Sequence, residues 1–145
     1  MEAIRVKKLK PNATIPTYGS AEAAGADLYA CLESPLTVAP GASAWVPTGI
    51  ALEVPKGCAG LIYARSGTAC KKGLAPANKV GVIDSDYRGE IQVVLHNHGK
   101  KVQQVAPGER IAQIAIVPVF TPGFVEAEDL SDTQRAAGGF GSTGK

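Results

Sequence analysis

Two carboxylates, a tyrosine and an arginine fall within one short segment, Gly81-Val82-Ile83-Asp84-Ser85-Asp86-Tyr87-Arg88-Gly89. A turn that only reverses the chain is satisfied by Asp-Gly or Asn-Gly, so this set points to ligand chemistry. Asp84 ends the apolar run Val80 to Ile83, where a partly buried carboxylate could take a proton from water. Tyr87 offers a flat face suited to a sugar or a base. Asp86 is read as a turn residue, held by an Asx-type hydrogen bond.

Other clusters carry weaker signals. Arg65-Ser66-Gly67 precedes a helical stretch, and a helix N-terminus with an arginine beside it suits phosphate; taken alone, an ordinary capped helix with a surface arginine is the favoured reading. Asp27, in Ala24-Gly25-Ala26-Asp27-Leu28-Tyr29, either closes a turn or supports a hydrated magnesium ion from the outer sphere. His96 and His98 share a strand face but have no third ligand nearby and read as surface histidines. Gly139 to Lys145 nearly spells a P-loop, yet the chain ends at Lys145 without the hydroxyl and the following helix that such a loop needs.

The elements that must position these residues are short strands. Seventeen glycines and ten prolines punctuate 145 residues, with turn signals at Pro40-Gly41, Pro55-Lys56-Gly57, Pro107-Gly108 and Pro122-Gly123. Between them lie runs rich in β-branched residues at 44–54, 58–63, 80–83, 91–95 and 110–119. The one expected helix has Ser66 as N-cap, Gly67 to Lys72 as its body and Gly73 as its stop. An all-β fold of the jelly-roll, barrel or sandwich type follows, formed by residues 1–126 with one short helix. Residues 127–145 turn acidic, then glycine-rich, and are expected to form a flexible C-terminal arm. Phe140 in that arm suits stacking, and Arg135, Ser142 and Thr143 suit phosphate oxygens.

A chain this long forms one domain with a sizeable core. Its formal charge is +2 and its lysines are scattered, which disfavours nucleic acid as the main partner. Apolar runs are too short to cross a bilayer. Three cysteines without metal-type spacing point to a reducing, cytoplasmic location.

Five segments in order resemble the five motifs of the homotrimeric dUTPase family: Ala24 to Leu28, Arg65-Ser66-Gly67, Gly81 to Gly89, Pro107 to Gln113, and Arg135 to Gly144. Departures are small: Thr68 stands where an apolar residue is common, and Ala136 replaces a frequent glycine. The resemblance implies a jelly-roll homotrimer that hydrolyses dUTP to dUMP and pyrophosphate with Mg2+. That activity would keep uracil out of DNA and supply dUMP for thymidylate synthesis. It also implies sites shared among three subunits, each closed by a neighbour's arm.

By the same resemblance, Asp84 would activate the water that attacks the α-phosphate, and Gln113 would hold that water or an α-phosphate oxygen. Arg65, Ser66 and Gly67 would bind the triphosphate, and Asp27 would support the hydrated metal. Uracil would be read by the hairpin from Asn78 to Tyr87, through Asn78 and the backbone of Gly81, Val82 and Ile83. Tyr87 would lie beneath the deoxyribose. From the arm, Phe140 would stack on the base, while Arg135, Gly141, Ser142 and Thr143 would reach the phosphates. Rival readings are a dCTP deaminase of the same fold, a catalytically idle nucleotide- or protein-binding trimer, and a plain β-sandwich. The deaminase expects a catalytic glutamate and a longer chain, and the idle trimer expects loss of Asp84, Gln113 or the arm.

Overall fold

The computed structural model of the chain describes residues 3–139. Among the described residues twelve short strands run in antiparallel pairs. The site depends on seven of them: β3 (Ala26–Tyr29), β5 (Ser43–Pro47), β7 (Cys58–Tyr63), β8 (Leu74–Pro76), β9 (Gly81–Ile83), β10 (Gln92–Asn97) and β12 (Arg110–Pro118). With β2 (Thr17–Tyr18), four of these make a five-stranded sheet in the order β2-β3-β12-β7-β9. The other three make a smaller sheet in the order β5-β10-β8. Two further pairs complete the sandwich: β1 (Val6–Lys8) with β6 (Ile50–Leu52), and β4 (Leu36–Val38) with β11 (Gln103–Val105).

Alternation along the strands explains the core. In β10, Val93 and Leu95 point inward and are buried, while Gln92 is exposed. Leu28, Ile62 and Ile114 from the large sheet meet Val46, Ile91, Val93 and Leu95 in one apolar cluster. The long apolar run at 44–54 splits into β5 and β6, because Thr48 and Gly49 interrupt it. Gly49 has φ 68°, and an added Cβ would stand 2.6 Å from Cys31 Sγ, so only glycine fits this corner.

Asn97 is fully buried among these residues. Its Nδ2 donates to the carbonyls of Val38 (2.9 Å) and Lys101 (2.8 Å), and its Oδ1 accepts from Gly99 N–H (2.9 Å). Asn97→Ala orphans all three groups and is expected to destabilise the fold by about 3 kcal/mol. Urea titration at fixed protein concentration measures this; a loss under about 1 kcal/mol would show that water replaces the amide.

The helix differs from the expectation. It is a single π-helical turn, Thr68–Lys72, with Gly67 at the cap position and no side-chain cap bond, so Ser66 does not serve as N-cap. Gly73 ends it as expected, left-handed at φ 69° and bonded back to Ala69 and Thr68 carbonyls. Beyond β12, residues 119–139 contain no strand and no helix. Phe120, Phe124, Val125 and Leu130 in this stretch are almost fully bare. Among the described residues no helix is long and apolar enough to cross a membrane.

Candidate active site

Two clusters of the expected site residues form on the large sheet, at separate places. The first lies where β3, β12 and the end of β7 meet. Gln113 on β12 pairs with Asp27 on one side and Tyr63 on the other, so all three share the outer face. Arg65 follows two residues after Tyr63 and turns back over that face. Its Nε donates to Asp27 Oδ1 at 2.6 Å, and Gln113 Nε2 donates to the Ala64 carbonyl at 2.9 Å. Ser66 and Gly67 stand exposed beside them, with open space before the Gly67 Cα. Arginine, hydroxyl and glycine are thus brought together at the end of one strand, as an anion site requires.

Arg110 joins this cluster, although nothing in the sequence pattern assigned it there. Its Nη1 lies 3.3 Å from Asp27 Oδ2, so the nearly buried Asp27 carboxylate sits between two guanidinium groups. In a regular strand, positions 110 and 113 face opposite ways. Here the register shifts between Arg110 and Ala112, and Ile111 and Ala112 are consecutively buried. A β-bulge therefore flips the parity and brings Arg110 onto the Gln113 face. No signal in the sequence marks the bulge, since Ile114 to Val117 is also an unbroken apolar run.

A carboxylate has about four acceptor positions, and the two arginines leave Asp27 with capacity for a water bound to a cation. That donor set fits an outer-sphere role. Among the described residues no group of three or more His, Cys, Asp or Glu is gathered as a ligand cluster.

The second cluster surrounds Asp84. The expected hairpin from Asn78 to Tyr87 does not form, because its flanking runs belong to different sheets. β9 pairs with β7, whereas β8 and β10 pair with each other. Residues 84–90 instead cross from the large sheet to the small one. The crossing is fixed by Tyr87 N–H donating to the Asp84 carbonyl (3.2 Å), Tyr87 OH to the Glu90 carbonyl (3.0 Å) and Arg88 Nη1 to the Ser85 carbonyl (2.7 Å). Asn78 enters β9 through a tight turn with Lys79 at φ 67°, and its side chain is exposed.

Asp84 is exposed in the single chain rather than partly buried, since the strand end projects past the sheet. With Tyr87, Val82, Ile83, Trp45, Glu90 and Gln92 it lines a groove of about 480 Å³. β9 is the last strand of its sheet, so one edge of the Gly81-Val82-Ile83 backbone carries unpaired donors and acceptors. Trp45, 69% exposed, is a groove residue that the sequence pattern did not single out.

The register sets the distance between the clusters. Gln113 pairs with Tyr63, and Ile83 pairs with Gly60 on the far side of β7. Three residues along and two strands across amount to roughly 14 Å between Cα atoms, and Asp84 lies one residue further. No single phosphate can touch Gln113 and Asp84 of one chain.

Other expected residues fall elsewhere. Arg135 is exposed and donates from Nε to the Gly138 carbonyl at 2.7 Å. Phe140, Gly141, Ser142 and Thr143 lie outside the described residues. His96 and His98 stack edge-to-face, with ring centroids 4.5 Å apart, and His96 Nδ1 is 2.9 Å from Ser43 Oγ. They belong to the small sheet and its end, as surface groups. Partial desolvation, then the charges of His96 and Lys79, lower the pKa of His98. A second hollow of about 520 Å³, lined by Ile4, Ile15, Tyr18, Leu52, Ile114 and Ile116 among others, is mainly apolar.

The family profile described as dUTPase matches residues 11–144. A deoxyuridine 5'-triphosphate nucleotidohydrolase of Syntrophotalea carbinolica is 47% identical over 141 residues, covering 97% of this chain and 96% of that protein. One from Desulfitobacterium hafniense is 51% identical over 131 residues, covering 90% and 87%. Among solved structures, a mutant dUTPase of Staphylococcus bacteriophage 80alpha, with dUpNHpp, matches with a TM-score of 0.90 at 26% identity over the whole of both chains.

Proposed function

The chain belongs to the dUTPase family and hydrolyses dUTP to dUMP and pyrophosphate, and we propose that it does so at sites assembled between the copies of a homotrimer. The observation that carries this reading is the separation of the two clusters. Asp27, Arg65 and Gln113 form a phosphate-binding half, and Asp84 and Tyr87 form a nucleoside-binding and water-activating half more than about 14 Å away on the same sheet. A second copy can bring its own Asp84 to the first copy's Gln113, and cyclic symmetry then builds three such sites. The bare Phe120, Phe124, Val125 and Leu130 support close association of copies.

In such a site the free edge of β9 reads the base. Uracil shows an acceptor–donor–acceptor edge, which backbone groups of Gly81, Val82 and Ile83 with Asn78 can match. Cytosine would place its amino group against a donor and leave buried groups unpaired. A backbone close to C5 excludes the thymine methyl, and the Tyr87 ring beneath the sugar excludes a 2′-hydroxyl.

Arg65, Ser66 and Gly67 bind the phosphates, and Gln113 donates to an α-phosphate oxygen or the attacking water. Asp84 accepts a proton as that water adds to the α-phosphorus, and the bond to the pyrophosphate oxygen breaks. Positioning and electrostatics supply most of the acceleration, because the leaving group is already good. Asp27 would hold the water shell of a bound magnesium ion, which would supply neutralisation of charge on the triphosphate.

The deciding experiment is pyrophosphate release from dUTP, dCTP, dTTP and UTP side by side, with magnesium and then with chelator. Release from dUTP alone, abolished by chelation, is expected. No release from any of the four would favour an idle binding trimer.

The arm is proposed to reach a neighbour's site, with Phe140 on the base and Arg135, Gly141, Ser142 and Thr143 on the phosphates. A chain ending at Gln134 should bind dUTP weakly and turn over at least about 100-fold more slowly, since it loses an arginine clamp and the closure that excludes water. Full activity of the truncated chain would rule that role out. The exposed thiol of Cys70 suits a reducing compartment and supports a cytoplasmic location.

A further inference from the structure

We propose that Gly25 is a positioning residue for Gln113: the side chain it lacks is the space in which the Gln113 carboxamide lies. This rests on the reading that Gln113 serves the α-phosphate or its attacking water.

A Cβ on Gly25 would stand 2.6 Å from Gln113 Oε1 and 3.2 Å from both Cβ and Cδ of the same side chain. The backbone gives no other reason for glycine here. Left-handed φ values occur at Gly41, Gly49, Gly57, Gly73 and Gly108, not at Gly25. The three nearest atoms to the added carbon all belong to the Gln113 side chain and none to the main chain. What the position supplies is volume, and one side chain uses it.

That side chain is held at two points. The Ala64 carbonyl can only accept, so the Gln113 atom 2.9 Å from it is the amide nitrogen. The oxygen is thereby turned toward Gly25, and one N–H remains uncommitted by these contacts. Ala64 directly precedes Arg65, so the remaining N–H belongs to the cluster that would meet the phosphates. Gly25 and Ala64 together define the amide's orientation: one leaves room for the oxygen and the other engages the nitrogen.

The clash a Cβ would create falls mainly on the end of a flexible side chain. The amide can swing away, and the 3.2 Å contact with the Gln113 Cβ asks for a shift of only a few tenths of an ångström, so the expected damage is to chemistry more than to folding. A donor aimed at a phosphate oxygen in the transition state is worth about 10- to 100-fold in rate, and misdirecting it should forfeit most of that.

The test compares Gly25→Ala, Gln113→Ala and the double variant in the full chain, by kcat and KM for dUTP and by thermal midpoint. Gln113→Ala should lower kcat about 10- to 100-fold, and Gly25→Ala should lower it comparably with KM and midpoint little changed. The double variant should be no slower than Gln113→Ala, because the residue through which Gly25 acts is gone. If Gly25→Ala instead loses stability, the double variant should regain most of it, since shortening Gln113 removes the contacts with Oε1 and Cδ and leaves only the 3.2 Å contact with Cβ. Wild-type kcat in Gly25→Ala, multiplying losses in the double variant, or instability that persists undiminished in the double variant would each overturn the proposal. Full activity of Gln113→Ala would overturn the role of Gln113 itself, and the proposal with it.

Discussion

Asp84→Asn is expected to lower the turnover of dUTP by about 10²- to 10⁴-fold, the range spanned by loss of a general base, while leaving substrate binding intact. Asparagine keeps the shape of the side chain and an oxygen that can orient water, but it cannot carry away a proton. Asp84 lies in the crossing between the two sheets, whose bonds run through the backbone of Asp84, Ser85 and Glu90 and the side chains of Tyr87 and Arg88. The substitution therefore leaves the groove lined by Trp45, Val82 and Tyr87 in place. It also removes a negative charge from the neighbourhood of a triphosphate, so affinity should hold or rise. Single-turnover pyrophosphate release alongside equilibrium binding of dUTP separates the two effects. Turnover within about threefold of the wild type would show that another group takes the proton.

Mixing two inactive variants should restore activity. Arg65→Ala disables the phosphate half of the site and Asp84→Asn disables the half that activates water. Neither homotrimer should work, yet when the two chains are refolded together each can lend the other its intact half. If a site takes Arg65 from one copy and Asp84 from another, random assembly gives about one intact site in four. Recovery to about a quarter of wild-type activity is therefore expected from proteins that separately show almost none. The prediction follows from the register of β7 with β9 and β12, which keeps Ile83 and Gln113 roughly 14 Å apart in one chain. If native mass spectrometry confirms mixed trimers and activity stays at the level of the separate variants, the site lies within one chain.

Much of the molecule was legible from its residues. Glycine and proline punctuation with β-branched runs gave the strand positions, because turn chemistry and side-chain alternation are local properties. β7, β9, β10 and β12 begin and end within a residue or two of the runs read from sequence. The cap on the helical turn was misread at Ser66 because cap choice depends on how the preceding strand delivers the chain. Arg65 leaves β7 already committed to Asp27, and Gly67 occupies the cap position with helical dihedrals. The hairpin expected across residues 78–87 failed for a similar reason. Two adjacent apolar runs look alike whether they pair with each other or with partners in opposite sheets.

The sequence alone determined which chemistry was available: a carboxylate and a ring in one turn, an Arg-Ser-Gly step, and an amide in a strand. Those depend on side-chain identity and short spacing. Only the tertiary structure decided which of these groups meet. The bulge at Ile111 turned Arg110 toward Asp27, the absent side chain of Gly25 left room for the Gln113 amide, and the sheet order held Asp84 away from both. Strand parity, the volume beside a glycine and the distance across a sheet arise from long-range pairing, and no local pattern of residues encodes them.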